Sequence, residues 1–150
     1  RDRDVTGVQT CALPICTLFS DTEDIMGWDV VETGLKVRFS RDIPSIVRQH
    51  LPSLVHQACS EWNIPVSCLR HYVVHPGGVK VLDAYSESLN LPSEALSEAL
   101  ETLTNYGNMS SASVLFVLKQ YLKTHVPSND YGVMLALGPG FSAEQALFRW

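Results

Sequence analysis

Long apolar runs are what this sequence lacks most plainly. No uninterrupted stretch approaches the length a helix needs to cross a bilayer, so a membrane span is not expected. Charge is also sparse: charged residues make up 18% of the chain, the net charge is −5, and the 11 basic residues are scattered. There is no basic stripe with interleaved aromatics, which argues against a nucleic-acid partner. The cysteines, Cys11, Cys16, Cys59 and Cys68, do not form a disulfide-framework spacing. A chain of 150 residues, 45% hydrophobic, can build a core without disulfides, so the thiols are read as reduced and the protein as cytoplasmic. The opening Arg-Asp-Arg-Asp has no apolar segment behind it, so no secretory leader is expected. Cys68, His71 and His75 follow a Cys-x2-His-x3-His spacing, but no second ligand pair follows them. Pro76-Gly77-Gly78 suits backbone approach better than a closed zinc shell, and no metal is expected.

What is present is an alternation of short β runs and helical periods. Residues 1–16 keep neither period and read as a non-native or disordered leader. Their "VTGVQTCALPI" looks like a conceptual translation of sequencing-adapter DNA. From residue 17 the chain reads as one domain, 17–150. β runs are predicted over 28–32 and 35–39, joined by a turn at Glu32-Thr33-Gly34. Asp42 and Pro44 predict a helix start, and apolar residues at spacings of three and four extend it over 43–62, with Pro52 kinking or breaking it. A buried strand follows over 69–74, ending at His75. One helix begins near Gly77. A second covers "LPSEALSEALETLTNYG", with Ser93 as its cap and Gly107 as its end. A third covers "SSASVLFVLKQYLKTH" and is apolar through Val114–Leu118, hence buried. "YGVMLAL" is a strand, "GPG" a loop and "AEQALFRW" a last strand. The order predicts an α/β fold.

Three stretches place a reactive or backbone-exposing group where buried elements meet: "VVHPGG", "YGNMSSASV" and "LALGPGFS". Taken singly, each has an ordinary explanation. His75 is a histidine before a turn. Asn108 is an N-cap or a left-handed turn residue ahead of a helix. Gly77-Gly78 opens a helix as backbone does where it meets phosphate or pantetheine.

Taken together they are more specific. "HPGG", then "GNMSSASVLFVL", then "LGPGFS", with "GWDVVETGLKVRFSRDIPSIV" upstream, resembles the C-terminal half of type III polyketide synthases of the chalcone and stilbene synthase family, in its bacterial alkylpyrone-type branch. The resemblance runs from about Thr17 to Trp150. It implies the second half of a thiolase-like layered αβαβα fold. It also implies that His75 and Asn108 are the catalytic histidine and asparagine. Both would donate hydrogen bonds to the thioester carbonyl of malonyl-CoA where an enolate charge develops. Gly77, Gly78 and Lys80 match the lining of a CoA tunnel; Lys80 stands there either as a charge toward a CoA phosphate or as a solvated helix lysine. Ser110, Gly138, Pro139 and Gly140 match residues that shape the reaction cavity. Val37 stands where plant members carry a phenylalanine gatekeeper. A valine there opens an aliphatic entrance for a fatty acyl-CoA starter, or is an ordinary strand residue. The implied partners are malonyl-CoA, the acyl-CoA starter and a second subunit in a homodimer; CoA thioesters enter as substrates, and no cofactor is implied.

The same resemblance implies a nucleophilic cysteine upstream of the histidine, which lowers that cysteine's pKa. None of Cys11, Cys16, Cys59 or Cys68 matches that motif, so the expectation is a fragment that is inactive alone. The third helix would lie centrally between two sheets in the complete enzyme, so without the other half it exposes one face. Two alternatives stand beside this reading. One is a fatty-acid-initiating ketoacyl synthase of the same superfamily, whose histidine is followed by Gln-Ala-Asn rather than Pro-Gly-Gly. The other is a non-catalytic interaction domain that inherited His75 and Asn108.

Overall fold

The structure, a computed structural model, describes residues 10–11 and 14–150. Short strands β1 (Thr10–Cys11) and β2 (Ile15–Leu18) follow one another along the outer edge of the last strand, β7 (Ser142–Arg149), both antiparallel to it. β1 and the first two residues of β2, Ile15 and Cys16, fall in the stretch expected to be leader, while Thr17 and Leu18 fall in the domain; residues 1–9 and 12–13 lie outside the described residues. β7 pairs antiparallel with β6 (Tyr131–Gly138), and β6 pairs parallel with β5 (Leu69–Val74). A separate antiparallel hairpin joins β3 (Met26–Val31) to β4 (Gly34–Phe39). Its two-residue turn closes at Gly34, whose φ of +124° explains the glycine.

Helices cover both faces of the main sheet. α1 (Ile43–Glu61) and α2 (Val79–Leu89) pack against each other. Gln145 of β7 donates its side-chain amide to the Leu54 carbonyl of α1, which puts α1 on the Gln145 face. On the other face, the His71 ring of β5 meets Tyr121 of α4 (Ala112–Tyr121) and Trp150 edge-on, at 5.8 and 5.2 Å between centroids. α3 (Ser97–Tyr106) packs beside α4. β5 is therefore buried from both sides, with Val73 and Val74 fully enclosed. Each such valine contributes on the order of 1.5–3 kcal/mol by its removal from water.

Local differences from the sequence expectations have physical causes. Asp42 stands at the N-cap of α1, as expected, but its side chain makes no capping bond; its backbone is helical, its N–H donates to the Ser40 hydroxyl, and its carboxylate accepts from the same hydroxyl. Pro52 lies on the solvent side of α1, which runs through it without a break. The segment expected to be one helix from Ser93 is a 3-10 turn, Ser93–Leu96, followed by α3, and Pro92 rather than Ser93 stands at the cap. α4 is shorter than expected and exposes one apolar face, as the resemblance implied. Val114, Val117 and Tyr121 form the buried stripe, while Leu115 is 58% exposed.

Candidate active site

β5 ends at the site. Its parallel register sets Tyr72 beside Val133 and Val74 beside Leu135. Strand alternation then turns His71, Val73 and His75 to the α4 face. The His75 N–H donates to the Leu135 carbonyl at 2.8 Å, so the backbone stays paired up to the histidine. Pro76 is buried and ends the pairing, because it has no N–H to give. The Gly77 N–H then bonds back to the His75 carbonyl at 2.9 Å. This tight reversal folds the His75 ring over Gly77: a Cβ at Gly77 would lie 3.6 Å from the ring's Cδ2 and 3.8 Å from Nε2. Burial lowers the His75 pKa below its usual 6.5, so the ring is neutral at physiological pH and keeps one N–H to donate.

Asn108 reaches the same place from the α3–α4 junction. α3 closes at Gly107, which takes φ +70°, and Ser110 takes φ +58° before α4 begins. Between them the Asn108 Oδ1 accepts the Ser110 N–H at 2.9 Å, an Asx turn. Its Nδ2 donates to the Gly77 carbonyl at 3.0 Å. Asn108 is thus neither the helix cap nor the left-handed residue of its turn; Ser110 takes the left-handed position. The His75 ring and the Asn108 amide therefore meet around one glycine, at the exposed end of the sheet.

The remaining expected site residues divide. Gly78 begins α2; a Cβ there would meet nothing within 4 Å, and its φ of 164° is open to any residue. The fold does not itself require this glycine, which is half-buried three residues after His75. Lys80 is exposed in the first turn of α2. Gly138, Pro139 and Gly140 lead out of β6 at the same sheet end as His75, since Val74 and Leu135 are in register. Gly140 has φ +131°, and the next residue, Phe141, is fully buried, its N–H bonded to the Thr22 hydroxyl at 2.9 Å. Ser110 flanks Asn108. Val37 lies on the separate hairpin, paired with Trp28 and 41% exposed.

The described cysteines, Cys16, Cys59 and Cys68, are all free thiols. Cys68 precedes the start of β5 while His75 follows its end, which separates them by about 20 Å along the strand. Cys59 is buried on α1 and its pKa is raised, mainly by burial. Cys16 is exposed on β2, and a hydrogen bond with Glu144 is the main cause that raises its pKa. A raised pKa opposes thiolate formation. Cys68, His71 and His75 are not gathered either: among the described residues no three potential metal ligands stand together. His71 is instead bonded to Asp130 at 2.9 Å.

Sequence reasoning missed two contributors. The Gly77 carbonyl is the acceptor that holds Asn108, and Ser113 anchors the loop before α4 through its hydroxyl, which accepts the Met109 N–H at 2.7 Å. Ser113 ends the run Ser110-Ser111-Ala112-Ser113, and nothing in that run of small residues marks which of them bonds back.

Residues 11–150 match the family profile described as chalcone and stilbene synthases, C-terminal domain. The chain is 45% identical over 134 residues to a protein of Bacillus subtilis (strain 168) whose name assigns it provisionally to the chalcone synthases. It is 39% identical to 1,3,6,8-tetrahydroxynaphthalene synthase of Streptomyces peucetius subsp. caesius. The matched regions cover 89% of this chain but only 37% and 36% of those relatives. Among solved structures, 1,3,6,8-tetrahydroxynaphthalene synthase from Streptomyces coelicolor A3(2), a bacterial type III polyketide synthase, superposes with a TM-score of 0.88 at 32% identity, over 99% of this chain and 42% of the other.

Proposed function

Because this chain belongs to the chalcone and stilbene synthase family through its C-terminal domain, we propose that it is the C-terminal part of an enzyme that condenses malonyl-CoA with an acyl-CoA starter. The observation that carries this reading is the meeting of the His75 ring and the Asn108 amide around Gly77.

In this reading the malonyl thioester oxygen takes hydrogen bonds from the His75 ring N–H and from the second Nδ2 proton of Asn108. The bond between the α-carbon and the carboxylate breaks, carbon dioxide leaves, and the electron pair moves onto the thioester oxygen as an enolate. Neutral donors suit this step, since they are aimed at charge that exists only after the bond begins to break. The enolate carbon then attacks the carbonyl of an acyl group held on a cysteine. A carbon–carbon bond forms and the cysteine leaves as thiolate. That cysteine comes from outside these residues, so the 150-residue chain alone is inactive. Gly77 and Gly78 admit the CoA arm, and Lys80 meets a CoA phosphate. Ser110 and the loop Gly138-Pro139-Gly140 bound the cavity, while Val37 favours a fatty acyl starter. The scheme uses no metal or cofactor. The complete enzyme works as a cytoplasmic homodimer; among the described residues no helix is long and apolar enough to cross a membrane.

The test is to incubate full-length protein with malonyl-CoA and a long-chain acyl-CoA and to titrate free CoA with a thiol reagent. Release that depends on both substrates supports the reading, and no release overturns it.

A further inference from the structure

Asn108 can act only if its amide is held the right way round, and nothing in the regular secondary structure holds it. The segment from Gly107 to Ser110 lies between two residues of positive φ, outside both α3 and α4. Two side-chain contacts fix it instead. One is the Asx turn, in which Oδ1 of Asn108 is committed to the Ser110 N–H, so that Nδ2 must face Gly77. The other is the bond from the Met109 N–H to the Ser113 hydroxyl, at 2.7 Å. Ser113 is 0% exposed, in the first turn of α4. A buried hydroxyl is costly without a partner, and this bond is what satisfies it. The arrangement follows the logic of a capping box, in which a side chain within the first turn reaches back to an N–H ahead of the helix.

We infer that Ser113 is the positioning residue of Asn108: its hydroxyl pins Met109, and so sets the direction in which the neighbouring amide points. This inference rests on the reading of Asn108 as a hydrogen-bond donor to the substrate. Ser113 itself touches no substrate. Its effect is on the step that needs the amide in place, not on CoA binding, so it bears on kcat rather than KM.

The experiment compares wild type, Ser113→Ala and Ser113→Cys in the full-length protein, with malonyl-CoA decarboxylation, Tm and a crystal structure of each. Ser113→Ala is expected to lower kcat by about 10- to 100-fold, the scale on which a small misplacement of a catalytic group acts, with KM within about twofold. Ser113→Cys, whose sulfur still accepts weakly, recovers part of the loss. The inference is overturned if kcat per folded molecule is unchanged in Ser113→Ala, or if KM alone moves. If wild type shows no decarboxylation, the functional reading has failed, and the crystal structures decide the positioning claim alone. A lost Asn108–Gly77 bond in Ser113→Ala supports it, and a bond retained at wild-type length overturns it.

Discussion

The side-chain amide of Asn108 donates to the Gly77 carbonyl at 3.0 Å, bridging 31 residues of sequence between two loops that share no backbone pairing. The geometry demands a donor at this position. Asn108→Asp places a carboxylate oxygen against a carbonyl oxygen, whereas the protonated acid can donate again. The variant should therefore be less stable than wild type at pH 7 by about 1 kcal/mol, the net scale of one hydrogen bond. It should regain most of that difference near pH 4. Thermal unfolding at both values checks this, with Asn108→Ala, which has no such pH dependence, as control.

His75 makes a second, independent prediction. Burial lowers its folded pKa below the 6.5 of the unfolded chain, so the unfolded state binds the proton more readily. The contribution of His75 to stability is then complete above pH 6.5 and is lost progressively as pH falls below it. Urea unfolding between about pH 5 and pH 8 should show wild type falling more steeply with acid than His75→Gln. Parallel curves would contradict the burial argument.

Packing on the α4 face of β6 is tight at Gly132. A Cβ there would lie 2.5 and 2.8 Å from ring atoms of Trp150 and 3.1 Å from the His71 Cβ. Gly132→Ala should therefore cost about 1–3 kcal/mol, the usual range for overpacking. The Trp150 emission spectrum should shift with it. Unchanged stability would mean that the ring moves freely.

The hairpin carries Met26 opposite Phe39, Trp28 opposite Val37 and Val30 opposite Leu35, an apolar face in which Val30 is 86% exposed. The opposite face is charged, with Arg38 bridging Asp24 and Asp29 at 3.3 and 3.2 Å. An apolar face of this kind drives association in water. Sedimentation of the 150-residue chain should show self-association that Val30→Lys with Leu35→Lys reduces. A monomeric wild-type chain at tens of micromolar would contradict this.

These elements show which parts of the account the sequence could carry. β5 was legible to the residue because an apolar run ended at a proline. Gly34 and Gly107 were legible because each closes an element with positive φ. The exposed face of α4 was legible only through the resemblance: apolar content all round implies burial only when matter lies on every side, and Leu115 has solvent on one. Asp42 was legible as the start of α1, but not that Ser40 would take its carboxylate in place of a capping bond. The sequence named His75 and Asn108 as candidates, but not the point where the fold brings them together. It depends on the Gly77 carbonyl, and a backbone acceptor has no letter in the sequence. Ser113 was hidden for a related reason, since its role is a bond to an N–H four residues back.

The most direct test of the central claim is the release of labelled carbon dioxide from carboxyl-labelled malonyl-CoA by full-length wild type, His75→Ala and Asn108→Ala, each at its own saturating substrate concentration. Wild type is predicted to release label. Each variant is predicted to be slower by about 10²- to 10³-fold in kcat, as when one donor to a developing oxyanion is removed. Equal rates in all three proteins, or no release by wild type, would contradict the assignment of His75 and Asn108 to the decarboxylation step.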